Sequence, residues 1–393
     1  MLQLLRNAHV FSPEPRGSCH LLISGELVAW MGQDVELPAE LDAEEIDLEG
    51  RIVIPGLIDP HVHITGGGGE SGEHTQIAPV PFEHFASSGI TTVAGLLGTD
   101  DETRGTTSLI ATARGLRNKG MSAYCYTGGY HIPPMTLTGT VRKDIVFIDP
   151  VIGVGEIAIS DHRSSQPTLD EVLRVASEAY VGGMLANKAG VAHFHLGNGP
   201  RGLSLLRDAI RTSEIPPRVF YPTHVNRRKR LFEEAMDLAT RGCYVDVTVY
   251  PNGSDQEGLS AEAAILLYLE SGLPGERLTA SSDAGGSLPR FDSEGNLIAL
   301  DTGQPSALTR CLTSLLREGH SVRRVLPIFT LNPARALRLF KKGQITKGSD
   351  ADLVVLDERF EVDSVMARGR WIHGPLAQGA KSSSALPVGG ARS

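Results

Sequence analysis

Only four cysteines occur in the 393 residues. Cys19, Cys125, Cys243 and Cys311 lie far apart with no Cys-x-x-Cys pair, which argues against a disulfide framework and against a thiolate zinc site; all four are expected to be structural thiols. No apolar run approaches the ~20 residues of a bilayer-spanning helix, so no membrane anchor is expected. The opening segment MLQLLRNAHVFSPEPRG lacks the basic leader, apolar core and small-residue cleavage site of a secretory signal, and the expected location is the cytoplasm. The net charge of −9 is spread along the chain, and the one basic cluster, Asn226 to Arg230, is too short for a nucleic-acid surface. It reads instead as a loop near chemistry. Internal repeats are lacking, and low complexity is confined to the polar tail. What remains is a composition, 41% hydrophobic and 21% charged, that suits a soluble globular enzyme.

A chain of this length is too long for one small core, and suits one large domain of roughly 250 to 300 residues with a smaller partner. Residues 1–54 alternate apolar and polar positions, as half-buried antiparallel strands do. The same texture returns from Gly343, so 1–54 and 343–393 are expected to pair into one small β-domain, with a tail that frays after about residue 376. Between them, over 55–342, eight short apolar runs are each followed by a helical stretch: IVIPGLIDPHVH, TTVAGLLGT, SAYCYTGGYH, VIGVGEIAIS, VAHFHLG, VFYPTHV, CYVDVTVY and LTASSDA. Expected helices include Glu102–Lys119, Leu169–Leu185 and Pro305–Glu318. This alternation predicts an α/β fold, a (β/α)8 TIM barrel, whose chemistry sits where its strands end.

Polar residues at those ends form a consistent set. His61 and His63 close the first run, and because strand side chains alternate they face the same side and can share a metal. Later runs end in His195, His224 and Asp283. His-x-His alone arises by chance; neutral imidazoles and carboxylates delivered by independent strand ends do not. Such a set suits zinc or a similar divalent ion, with room for a bound water whose pKa falls to about 7. Metal-dependent hydrolysis is the expected chemistry.

The order His-x-His, carboxylate, His, His, Asp resembles the amidohydrolase superfamily. The segments GLIDPHVHITGGGGESG, VAGLLGTD, TGGYHIP, ISDHRS, PTHVNR, SSDAGGS and KGSDADLVVLD resemble, over nearly the whole chain, its isoaspartyl dipeptidase family. The resemblance implies a barrel with a small β-sandwich built from both termini, hydrolysis of the isopeptide bond of β-aspartyl dipeptides by a metal-bridging hydroxide, and assembly into homo-oligomers. His61, His63 and Asp283 would hold one of two divalent ions, most simply Zn2+, and His195 and His224 the other. The bridge departs from many relatives: where they carry a carbamylated lysine this chain has Glu156, already a carboxylate, whose shorter reach calls for a local backbone adjustment at Gly155. Asp283 would be the general acid and base, and Tyr130 the donor to the developing oxyanion.

For the substrate, Glu70 would pair with the free α-amino group, and the amides of the Gly66–Gly69 loop, Gly68 among them, would approach a carboxylate. Arg163 and Arg227 suit bidentate carboxylate recognition, with Thr99 and Ser287 as smaller donors. His131, His162 and His193 are read as supporting or packing residues. Two rivals stand: another amidohydrolase, acting on N-acyl amino acids or cyclic amides, and a barrel that serves only as a scaffold. Every expected ligand position holds a competent residue, which weighs against the scaffold.

Overall fold

The computed structural model describes residues 2–35, 37–38, 41–250, 258–292, 294 and 296–378. Strands from both ends of the described chain form one eight-stranded sheet, in the order Arg370–His373, Val362–Ala367, Leu353–Leu356, Ile52–Pro55, Leu2–Phe11, Pro15–Ser24 and Leu27–Gly32, with Glu44–Asp47 also paired to Leu2–Phe11. Leu5, Val10, Leu21, Ile23, Val53, Leu353, Val355 and Met366 supply its shared apolar core. Not all of these strands are antiparallel as the alternation suggested: Glu44–Asp47 and Ile52–Pro55 run parallel to the first strand, each along one half of it. The switch falls at Asn7, where φ is +55° and the register of the neighbouring hairpin shifts. Asn7 Nδ2 donates to both carboxylate oxygens of Asp47, at 2.9 and 3.0 Å. A period of two reports a half-buried strand and is silent on its direction. At residues 375–378 the chain makes a helical turn, with Leu376 packed on this core. The expected fraying falls mainly on 379–393, outside the described residues.

Gly56 is where the chain leaves this sheet, between Ile52–Pro55 and Leu57–Val62. A Cβ there would lie 2.1 Å from the Thr91 hydroxyl, so the crossing passes only because glycine has no side chain. Six strands then follow in sequence order as one parallel sheet: Leu57–Val62, Ile90–Gly95, Ser122–Thr127, Val151–Ile159, Val191–Leu196 and Phe220–Thr223. Val245–Thr248 and Leu278–Ser281 form a parallel pair. The wall curls until Val62 meets Ala284 in a parallel bridge, and the Thr223 hydroxyl donates to Asp246 across the sixth and seventh strands at 2.7 Å. All eight strands come from the eight expected runs, and the chain is an α/β protein with a TIM-type barrel and an additional β unit.

Helices cover the barrel because their apolar residues recur at helical spacing. Leu169–Ala186 opens on a capping box between Thr168 and Glu171, buries Val172, Val175, Ala176 and Ala179, and ends at Asn187 with φ +52°. The helix expected from Glu102 begins only at Thr106. Asp100 holds the preceding residues in a turn, accepting from the Thr103 amide at 2.9 Å and pairing with Arg104 at 3.0 Å.

Candidate metal centre and substrate pocket

The barrel's parallel strands bring every expected ligand to one end. His61 lies on Leu57–Val62 and His63 one residue beyond, His195 on Val191–Leu196, His224 directly after Phe220–Thr223, and Asp283 two residues after Leu278–Ser281. His224 and Asp283 have φ of +59° and +52°, in the left-handed region that only a supporting structure makes tolerable in residues other than glycine. Glu156 reaches the same point by a bulge. Val154 pairs with Ala192 and Ile157 with Phe194, so Gly155 and Glu156 together oppose the single residue His193. The peptide between them is cis. Gly155 has φ +144°, and a Cβ on it would lie 2.6 Å from the His193 carbonyl oxygen. The local adjustment expected at Gly155 is present.

Glu156 Oε2 lies 3.5 Å from Nε2 of His61, 3.1 Å from Nδ1 of His195 and 3.6 Å from Nε2 of His224; its Oε1 lies 3.4 Å from Nε2 of His63. Asp283 Oδ1 is 3.3 Å from Nε2 of His61 and 3.2 Å from that of His63. Ligands about 2.1 Å from a tetrahedral zinc lie roughly 3.4 Å from one another, so these spacings fit a coordination shell. The hydrogen-bonding pattern agrees. His61 Nε2 and Asp283 Oδ1 are fully buried and make no aligned hydrogen bond, although they are 3.3 Å apart; they converge on a common point more than on each other. Among the described residues three ligand triplets can be drawn, and two of them, His61–His63–Glu156 and Glu156–His195–His224, share the Glu156 carboxylate. The donor set therefore fits a metal centre.

The electrostatics follow from crowding opposite charges without water. Burial works against the His63 cation, but Asp283 and Glu156 outweigh it and raise its pKa to about 10. Burial likewise opposes the Glu156 carboxylate, while His61 and His195 hold it well below its ordinary range. For His224 burial wins, and the imidazole falls to about 3. Partners behind the ligands fix their rings: His193 Nε2 is 2.8 Å from Nδ1 of His61, Thr248 Oγ1 is 2.6 Å from Nδ1 of His224, and Asp161 Oδ2 is 3.1 Å from Nε2 of His195. His193 thus has the supporting place expected for it. His131 is 2.7 Å from Asp101, and His162, largely exposed, is 3.5 Å from Asp161.

Above the ligands opens a cavity of about 480 Å³. Gly68, Glu70, Thr99, Arg163, Arg227 and Ser287, all the expected substrate residues, and Tyr130, the expected oxyanion donor, line it together with His63, Glu156, His195, His224 and Asp283. Glu70 Oε1 accepts from the Ser287 hydroxyl and lies 3.3 Å from Arg163 Nη1. Its Oε2 is buried without a hydrogen-bond partner among the described residues, as is Thr99 Oγ1. Gly68 has φ +78°, and a Cβ there would lie 2.5 Å from the Thr75 carbonyl oxygen, so this loop presents backbone only. Tyr130 Oη is 2.9 Å from Nδ1 of His195, and burial pushes the phenol well above its usual range. The basic cluster divides. Asn226 is buried and donates to Thr248 O and Leu259 O, both at 3.0 Å, Arg227 lines the cavity, and the Arg230 side chain is exposed.

Sequence reasoning left three features unassigned: Asp161, the cavity-lining Tyr250, and a hairpin formed by Ser287–Phe291 and Leu297–Thr302. Asp161 carried a usable signal, since a carboxylate two residues before Arg163 can accept from that residue's own amide, here at 2.8 Å.

Two sequence profiles described as the amidohydrolase family match residues 44–81 and 261–372. The imidazolonepropionase of Pseudomonas aeruginosa (strain UCBPP-PA14) is 37% identical over 117 residues, so that match spans only 28% of either chain. That of Ruegeria sp. (strain TM1040) is 25% identical over 388 residues, 90% of this chain and 92% of the relative. Among solved structures, the β-aspartyl dipeptidase of Fervidobacterium islandicum AW-1 in complex with β-Asp-Leu superposes with a TM-score of 0.90 at 44% identity, covering 95% of this chain and 97% of that one. The N-acetylglucosamine-6-phosphate deacetylase of Pasteurella multocida, at a TM-score of 0.64 and 16% identity over 94% of this chain and 99% of that one, shares the fold. Near-complete coverage at 44% identity sets the closer kinship: the chain belongs to the amidohydrolase superfamily of hydrolases and, within it, to the β-aspartyl (isoaspartyl) dipeptidase family.

Proposed function

We propose that this chain hydrolyses the isopeptide bond of β-aspartyl dipeptides with two divalent ions, zinc by the character of the donors, and with Glu156 bridging them in place of a carbamylated lysine. The observation that carries the reading is the sharing of Glu156 between two ligand triplets at the floor of a cavity walled by Glu70, Arg163 and Arg227. Ions held there would supply an acidified water as nucleophile and polarise the scissile carbonyl. The protein's own groups do the rest. Asp283, beside the reacting centre, takes the proton of the attacking water and delivers it to the leaving amine. Tyr130 donates to the oxyanion. The unpartnered Oε2 of Glu70 receives the α-ammonium, Arg163 and Arg227 receive the carboxylates, and Thr99, Ser287 and the Gly68 backbone fix their orientation.

The same reading takes residues 1–54 with 343–393 and residues 55–342 as two domains, and the protein as a cytoplasmic homo-oligomer that binds no nucleic acid. The likeness to imidazolonepropionases over most of the chain favours a second reading, hydrolysis of a cyclic amide. Metal per chain and cleavage of β-Asp-Leu, an N-acyl amino acid and a cyclic amide separate these, for the native chain and Glu156→Ala, with and without bicarbonate. Two ions and bicarbonate-independent cleavage of β-Asp-Leu that collapses in the variant are expected. Full metal loading with cleavage of only the other substrates overturns the substrate assignment, and a metal-free, inactive protein revives the scaffold.

A further inference from the structure

The hairpin overlooked in the sequence has a place of its own in the cavity. Its root is tied to the ligand strand: Gly285 N donates to Gly303 O at 3.0 Å and Gly303 N to Gly286 O at 3.1 Å. A Cβ on Gly303 would lie 1.9 Å from the Asp283 carbonyl oxygen, so the two legs meet directly against that residue. Its first residue, Ser287, donates to Glu70. Ser287 pairs with Thr302 and Pro289 with Leu300. Because side chains alternate along a strand, Pro289 and Leu300 share the face on which Ser287 reaches the site, one step farther out.

What this wall offers differs from the rest of the cavity. Among the described residues, the inner lining is imidazole, carboxylate, guanidinium, hydroxyl, aromatic ring and glycine backbone, and every aliphatic lining residue, Leu288, Pro289, Ala299 and Leu300, comes from the hairpin. Leu288 and Leu300 belong to none of the hydrophobic clusters of the described residues. Leu300 is 38% exposed, so its apolar surface faces water beside the cavity and packs into no core. Arg290 and Asp301 also line the cavity, but by the same alternation they belong to the hairpin's other face, and the face of Pro289 and Leu300 carries no charge.

We infer that this hairpin reads the side chain of the residue that follows the β-aspartyl group, with Pro289 and Leu300 selecting an aliphatic one. The inference rests on the proposed hydrolysis of β-aspartyl dipeptides. With the β-aspartyl end held at Glu70 and the scissile bond above the ligands, the leaving residue projects outward, past Ser287, along the face that carries Pro289 and Leu300. An aliphatic side chain there covers Leu300 from water; glycine leaves it exposed, and a lysine or aspartate meets no charged partner among Ser287, Pro289, Leu300 and Thr302.

The test is kcat/KM for β-Asp-Leu, β-Asp-Gly and β-Asp-Lys, measured on the metal-loaded full chain and on Leu300→Ala and Ile298→Ala. Ile298 is on the same hairpin, 65% exposed and outside the cavity lining, and serves as the control. The native protein is expected to prefer β-Asp-Leu. Leu300→Ala is expected to lower kcat/KM for that substrate about tenfold, the scale of apolar pocket discrimination, while leaving β-Asp-Gly and the melting temperature unchanged. Ile298→Ala is expected to change neither. Equal native cleavage of all three substrates, or an equal loss on β-Asp-Leu and β-Asp-Gly in Leu300→Ala, overturns the hairpin's role and leaves the dipeptidase reading standing. A metal-loaded native protein that cleaves no β-aspartyl dipeptide overturns that reading, and the inference with it.

Discussion

Asp161 holds the guanidinium of Arg163 at two points, its Oδ1 accepting from Nε at 3.1 Å and its Oδ2 from Nη2 at 2.8 Å. The same Oδ2 lies 3.1 Å from Nε2 of His195, so one carboxylate orients both a candidate metal ligand and a candidate reader of the substrate carboxylate. Replacing it by the isosteric amide keeps the shape and removes the charge. Asp161→Asn is expected to lose about 10- to 100-fold in metal affinity or kcat/KM, the usual effect of removing a partner that supports a ligand. Metal titration together with steady-state kinetics checks this. Parameters within about twofold of the native enzyme would show that Asp161 is dispensable to both.

Gly155→Ala is expected to damage the centre without touching a ligand. Its φ of +144° is strained for any side chain, and the new methyl would press on the His193 carbonyl oxygen. Relief requires the bulge to move, and Glu156 moves with it. A loss of about 3 kcal/mol in unfolding free energy is expected, the sum of a strained backbone and a steric clash. Metal content should fall as well. A variant of native stability and full metal loading would mean that the strand can carry Glu156 to the site another way.

Chelation should weaken the whole fold. Without ions, the atoms that the buried imidazoles and carboxylates of five separate strand ends turn toward the centre face one another, and His61 Nε2 and Asp283 Oδ1 have no aligned partner among the described residues. An ion at 100 times its dissociation constant stabilises the native state by about 2.7 kcal/mol, so chelator-treated protein is expected to melt at a clearly lower temperature, restored by adding zinc. Identical melting curves with and without chelator would count against a metal site of any strength.

Lys342 gives a pH signature away from the cavity. Its Nζ lies 2.6 Å from Asp350 and 2.6 Å from Asp352, with the lysine side chain almost wholly buried. Burial opposes the ammonium, but Asp352 and Asp350 outweigh it and raise the pKa above the ordinary 10.5. A raised cation stabilises the fold fully below its unfolded pKa, and the contribution fades as pH climbs through the folded value. Lys342→Met, which strands two carboxylates, is expected to destabilise by about 3–5 kcal/mol near neutral pH. Its deficit against the native protein should narrow only above about pH 10.5. Denaturant midpoints at neutral and strongly alkaline pH test this, and a deficit independent of pH would assign the effect to packing.

The clustering of the candidate ligands was legible because each is a polar residue ending an apolar run, and a parallel barrel gathers such ends by topology alone. Strand alternation alone pairs His61 with His63. The bulge at Gly155 and Glu156 was anticipated in its need and not in its form, since only the pairing with Val191–Leu196 shows that two residues fill the space of one. The parallel course of Glu44–Asp47 was invisible, because a strand's periodicity carries no direction. The hairpin at Ser287 escaped for a different reason. LPRF and LIALD on either side of DSEGN make an adequate hairpin pattern, but runs this short, directly after SSDAGGS, do not announce a separate element. Asp161 lies within ISDHRS, but its role depends on His195, 34 positions away.

The small sheet joins the two ends of the chain, and that has a consequence for synthesis. Gln3 donates to the carbonyl oxygen of Gly369 across 366 positions, and Ile52–Pro55 pairs with Leu353–Leu356. A ribosome adding about 5–20 residues per second leaves the first strands waiting on the order of a minute for these partners. Throughout that interval the Ile52–Pro55 edge is unpaired and open to a strand from another nascent chain, while the barrel strands emerge in the order in which they pair. Aggregation during expression should therefore respond to the edge at Val53 and Ile54 far more than to any residue of the metal centre.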